Sequence, residues 1–136
     1  MKQLPLPIQL DQRSTFDNYI AGGNAAAVQA LQQLLKPEGE PQVYLWSSNA
    51  NGKSHLLQSL CMQAAELGVK MVYLPLSLLT DAGADIFDNL EDVSIVCLDD
   101  IDAVSQNPVW AERLFHLINR LRNSGSRLAM TAAQPP

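Results

Sequence analysis

Residues 43–54 read Val43-Tyr44-Leu45-Trp46-Ser47-Ser48-Asn49-Ala50-Asn51-Gly52-Lys53-Ser54. The first four are apolar strand formers, and His55-Leu56-Leu57 opens a pattern of helical spacing, so a strand, a polar loop and a helix follow one another. That order suits a phosphate chain. Backbone N–H groups turn inward around it, Gly52 lets the backbone approach without a Cβ, Lys53 brings a point charge to the β/γ-phosphates and Ser54 a hydroxyl for Mg²⁺. The helix adds its free N-terminal N–H groups and positive dipole end. The expected nucleotide-binding set is Ser47, Ser48, Asn49, Ala50, Asn51, Gly52, Lys53, Ser54 and His55, holding ADP or ATP with Mg²⁺. Ser47 stands where the pattern G-x-x-x-x-G-K-[ST] wants glycine, which weakens the loop without abolishing it. A solvated loop that happens to contain Gly-Lys-Ser is the plainer alternative, and the flanking strand and helix argue against it.

Further along, Ser94-Ile95-Val96-Cys97-Leu98 is a continuous apolar run ending in Asp99-Asp100, the pattern of a parallel strand covered on both faces. Ligands gather where such strands end. Asp99 is therefore expected beside Ser54 as a Mg²⁺ residue, and Asp100 as the residue that polarises an attacking water. Asp102 adds a third acid, as a merely solvated turn would also allow. Thr131, at the end of the last expected strand, is placed to sense the terminal phosphate, although threonine is also simply a good strand former.

Asn24 can cap a helix from Ala25 to Leu35, stopped by Pro37-Glu38-Gly39. Strands are expected at 42–46 and 70–74, a helix at 54–67 closed by Gly68, and a short helix near 85–90 in a stretch broken by Pro75 and Asp81-Ala82-Gly83-Ala84-Asp85. A long helix over 108–123 presents Trp110, Leu114, Leu117, Ile118 and Leu121 on one face and ends at Gly125, before a strand over 127–132. Alternating strands and helices predict an open α/β parallel sheet with flanking helices and right-handed crossovers.

With 136 residues, nearly half of them apolar, the chain holds one domain with a core and is too short for two ordinary ones. A net charge of −5 argues against a protein whose main task is to neutralise a phosphate backbone. Cys61 and Cys97, far apart in sequence and each among apolar neighbours, read as reduced thiols of a cytoplasmic protein. No run approaches the ~18 apolar residues of a membrane span. His55 and His116 have no partners at ligand spacing for zinc. Arg113, Arg120, Arg122 and Arg127 suggest either a partner surface or a solvated helix face.

Gln3-Leu4-Pro5-Leu6-Pro7-Ile8 cannot be helical or a central strand, because its prolines remove donors and hold their predecessors extended. As an extended tail over 1–12, ahead of a core over 13–136, it loses little entropy on binding. Leu4, Leu6 and Ile8 can fill an apolar groove while Gln3 hydrogen-bonds at its edge.

Gly52-Lys53-Ser54-His55-Leu56-Leu57, Leu98-Asp99-Asp100-Ile101 and Thr15-Phe16-Asp17-Asn18-Tyr19 together resemble the AAA+ domain of the DnaA clade of bacterial initiators and helicase loaders. The tail, Leu45-Trp46 and Thr131-Ala132-Ala133-Gln134-Pro135-Pro136 are similar to the Hda-like branch of that clade, regulators that act with the sliding clamp. The resemblance covers residues 3–136 and implies an AAA+ P-loop NTPase fold. Asn49 and Asn51 depart from the glycine-rich initiator loop. It further implies a replication-inhibiting adaptor that docks on the DNA polymerase III sliding clamp through Gln3, Leu4, Leu6 and Ile8 and promotes ATP hydrolysis on the DnaA initiator. Contact with DNA is then indirect, through the clamp, and homo-oligomers are open. Hda-like proteins continue with a fifth strand, an arginine finger and a helical lid, so the chain reads as an amino-terminal fragment without autonomous turnover.

Three other functions compete with this one. A helicase-loader-type ATPase would turn over without clamp or initiator. An origin-binding initiator would need a helix-turn-helix module. A small-molecule kinase would need a substrate pocket and lid.

Overall fold

The computed structural model describes residues 2–5, 25–36, 41–46, 52–90 and 92–133. In chain order its elements are β1 (Lys2–Pro5), α1 (Ala25–Gln33), β2 (Gln42–Trp46), α2 (Lys53–Glu66), β3 (Met71–Pro75), two 3₁₀ turns (Leu76–Leu78 and Ala84–Phe87), β4 (Ile95–Asp99), α3 (Asp102–Ser105), α4 (Pro108–Ser124) and β5 (Arg127–Ala132). All strands pair in parallel in one sheet of order β1-β2-β5-β4-β3.

Side chains alternate across a strand, and here the alternation builds two cores. Val43 and Leu45 of β2, Ile95 and Cys97 of β4 and Ala129 of β5 pack with Leu31 and Leu34 near α1 and with Leu56, Leu57 and Leu60 of α2. Their neighbours Tyr44, Val96, Leu98, Leu128 and Met130 pack on the other side against Trp110, Leu114, Leu117 and Leu121 of α4. Burying each large aliphatic side chain contributes about 1.5–3 kcal/mol. The same alternation sends Tyr73, Asp99 and Thr131 toward the α2 side, beyond the last apolar layer.

Local signals set the boundaries of α4. The Asn107 side chain accepts hydrogen bonds from Val109 N (3.0 Å) and Trp110 N (3.3 Å), Pro108 follows at the first turn, and Gly125 leaves the helix at φ 82°. Three expectations change. Residues 85–90 form no α-helix. The turn over Ala84–Phe87 is 3₁₀, because Phe87 drives into the core against Trp110, with ring centroids 5.4 Å apart. The short helix α3 was unforeseen. Of the stretch expected as an extended tail, Lys2–Pro5 pairs along β2 in the register Gln3 to Tyr44 and Leu4 to Leu45, supplying a fifth strand, while residues 6–12 lie outside the described residues. An edge position is where a strand tolerates proline.

Arg113, Arg120, Arg122 and Arg127 bind their own chain. Arg120 donates to Phe87 O at 3.1 Å and Arg122 to Gln42 Oε1 at 3.0 Å. Arg127 donates to Gln33 O and Leu34 O at 3.2 and 2.8 Å, and Arg113 lies 3.6 Å from Asp85. Cys61 and Cys97, distant in sequence, share a side-chain contact between α2 and β4. Hydrogen bonding to Cys97 lowers the Cys61 thiol, while the same bond and burial raise Cys97. No helix among the described residues is long and apolar enough to cross a membrane.

Candidate functional site

The carboxyl ends of β3, β4 and β5 meet the N-terminus of α2. Gly52 precedes that helix at φ −115°, ψ −23°, and among the described residues no side chain caps the first turn, which holds no acidic residue. Its first N–H groups thus retain the arrangement that attracts anions. Gly52 lies in the right-handed region that other residues also adopt, so its backbone angles do not themselves demand glycine. Lys53 opens α2 and is 6% exposed. Burial lowers its ammonium, and the charges of Asp100, Asp102 and Asp99 pull it back up, which locates the amine within the field of all three acids. Ser54 and His55 are half-buried on the same first turn. Ser47, Ser48, Asn49, Ala50 and Asn51 lie outside the described residues.

Asp99 ends β4 at 4% exposure. A carboxylate so deeply placed needs donors, and it has two: Thr131 Oγ1 donates to Oδ1 at 2.5 Å and Tyr73 Oη donates to Oδ2 at 2.6 Å. Thr131 is fully buried, and its oxygen also accepts from Asp100 N at 2.7 Å. Thr131 therefore braces both aspartates in this arrangement. Asp100 is exposed and sits at φ 61°, a left-handed conformation that aspartate tolerates better than most residues. Burial first, then the charges of Asp102 and Asp99, raises its carboxyl, with Lys53 opposing. Asp102 accepts from Ala133 N and is thereby tied to the segment after β5.

Tyr73 was not anticipated. Burial, the hydrogen bond to Asp99 and the charge of Asp99 push its phenol well above the usual range, while hydrogen bonds from Gln58 and Ser54 oppose the shift. The sequence signal was only that Tyr73 lies near the end of an expected strand. The clamp residues Gln3 and Leu4 fall in β1, whereas Leu6 and Ile8 lie outside the described residues.

The donor chemistry fits a Mg²⁺-nucleotide. Ser54 and Asp99 offer hard oxygens, Lys53 and the helix N-terminus offer positive charge, and Mg²⁺ is commonly held by one or two carboxylates together with substrate phosphates. Ser54 and Asp99 would hold the cation, which neutralises charge between phosphates when bound. Among the described residues, no group of three or more His, Cys, Asp or Glu side chains is placed to hold a metal ion unaided.

The profile of the bacterial DnaA ATPase domain matches residues 10–136. Among solved structures, a DNA replication initiation factor superposes with a TM-score of 0.77 at 21% identity, over 92% of this chain and 43% of that one. AMPPCP-bound DnaA from Aquifex aeolicus gives 0.76 at 22%, again over 92% and 43%. Domain III of Thermotoga maritima DnaA gives 0.70 at 23%, over 95% and 59%. The architecture is thus the AAA+ P-loop fold, and the chain spans about half the length of these proteins.

Proposed function

The chain belongs to the bacterial DnaA ATPase-domain family, and from that premise we propose that it is a nucleotide-dependent adaptor of the Hda kind. It holds ADP or ATP with Mg²⁺ through residues 47–55, Asp99 and Asp100. It docks on the sliding clamp through its first residues and promotes ATP hydrolysis on the DnaA initiator, restraining replication initiation. The observation that carries the nucleotide part is the convergence of Lys53, Ser54, Asp99 and Thr131 from three elements at one end of the sheet. AMPPCP in the Aquifex structure supports it. Thr131, in contact with both aspartates, is suited to report the terminal phosphate to them.

Support for docking comes from the amino terminus. Residues 1–9 precede the stretch that matches the family, and Lys2–Pro5 is already extended. Because Gln3 and Leu4 pair with Tyr44 and Leu45, insertion of the tail into a partner's groove would draw β1 off the edge of β2.

Replacing Gln3, Leu4 and Leu6 by alanine is expected to abolish retention on immobilised clamp while leaving nucleotide affinity intact. Apolar anchors of such contacts are worth about 2 kcal/mol or more each. Undiminished clamp retention by the triple variant would sink the adaptor reading. Steady ATP turnover by the chain alone, without clamp or initiator, would favour a helicase-loader-type ATPase.

A further inference from the structure

We propose that Tyr73 is a positioning residue for the divalent cation, its hydroxyl holding the Asp99 carboxylate of β4 in one arrangement before Mg²⁺ arrives. The inference rests on the nucleotide reading above and goes beyond it, because Tyr73 belongs to none of the motifs that define the phosphate loop or the acidic strand end. Two observations converge. The hydroxyl donates to Asp99 Oδ2 at 2.6 Å, within the range of charge-assisted O–H···O⁻ bonds. Thr131 holds the other carboxylate oxygen at 2.5 Å, so the two donors together fix the rotation of the carboxylate about its Cβ–Cγ bond.

The chemistry of the two donors is the deciding point. An arginine or lysine in either place would orient Asp99 but also neutralise it. Two hydroxyls orient it and leave its charge available to a cation, and each carboxylate oxygen retains lone-pair capacity beyond the one bond it accepts. Groups that fix the ligand without joining it are the usual means of tuning a metal site. A purely structural role, satisfying a buried carboxylate, would move stability alone.

The test uses the full chain and the Tyr73→Phe variant, which keeps the ring and removes the oxygen. A fluorescent ADP analogue is titrated in EDTA and across a Mg²⁺ series, and thermal melts are recorded alongside. In the variant, the Mg²⁺ concentration for half-maximal tightening should rise by about tenfold or more, the scale on which outer-shell partners tune metal affinity. Affinity in EDTA should stay within about twofold. An unmoved or lowered Mg²⁺ midpoint overturns the proposal, as does an equal loss of affinity in EDTA. Should Tyr73→Phe lose its cooperative melt, Tyr73→Met takes its place under the same criteria. Wild-type chain that binds no nucleotide under either condition defeats the nucleotide reading and this inference with it. Wild-type binding whose Mg²⁺ dependence the variant retains defeats the role of Tyr73 alone.

Discussion

At the carboxyl ends of β4 and β5, charged side chains gather around one another, whereas at the amino ends of the same strands an arginine is spent on backbone carbonyls and two serines on each other. The first end gathers Lys53 among Asp99, Asp100 and Asp102, with Asp99 held by hydroxyls. The second borders a cavity of about 370 Å³ that includes Lys36, Asp92, Ser94, Ser126 and Arg127 in its lining. There Arg127 donates to the carbonyls of Gln33 and Leu34 at the end of α1, and Ser124 Oγ donates to Ser126 Oγ at 3.1 Å. Space alone therefore does not mark the functional end. Arg127 serves as a helix C-terminal cap, the place where a cation complements exposed carbonyls and the helix dipole. At the other end the α2 N-terminus, which no described side chain caps, offers the complementary chemistry for an anion.

Three substitutions probe this division. Lys53→Ala should lose about 1.5–3 kcal/mol of nucleotide binding, the value of a charge-assisted contact. Calorimetry showing equal affinity for variant and wild type would remove the carboxyl end from nucleotide recognition. Arg127→Met should do the converse. The loss of charged hydrogen bonds to two carbonyls should cost about 1.5–2 kcal/mol of folding stability in a urea titration, with nucleotide affinity unchanged. A weakened nucleotide affinity there would show that the two ends are coupled. The smallest effect is expected at Gly125. An added Cβ would meet nothing within 4 Å, so only the left-handed backbone at φ 82° resists a side chain. Gly125→Ala should accordingly cost about 1 kcal/mol, read as a lowered urea midpoint. A neutral result would mean that the turn after α4 relaxes.

Recognition from sequence worked where the signal is local. The strands at 42–46, 95–99 and 127–132 and the helix α4 follow from apolar period, a capping asparagine, Pro108 and Gly125, all within a few residues of the boundary they set. Asp99 was placed at a strand end because it closes a continuous apolar run. The turn at 84–87 was missed because its conformation is set by where Phe87 finds space beside Trp110, on a helix more than twenty residues later. Tyr73 was missed for the same kind of reason: nothing in Met71–Pro75 announces that its hydroxyl reaches Asp99. Thr131 was placed at the right strand end, but its bonds to Asp99 and Asp100 depend on a register between β4 and β5 that no local pattern carries.

Sequence by itself therefore determined the alternating architecture and the placing of Lys53 and Ser54 at a helix start and Asp99 at a strand end, since hydrophobic period and caps act over one or two turns of chain. Tertiary structure alone decided that Lys2–Pro5 lines the edge of β2, that Arg113, Arg120, Arg122 and Arg127 tie down carbonyls and side chains of their own chain, and that Tyr73 and Thr131 share one carboxylate. Those outcomes join residues tens of positions apart. They arise when strands settle into register under two packed faces, and a buried charge such as Asp99 must then take its partners from whatever the register brings within reach.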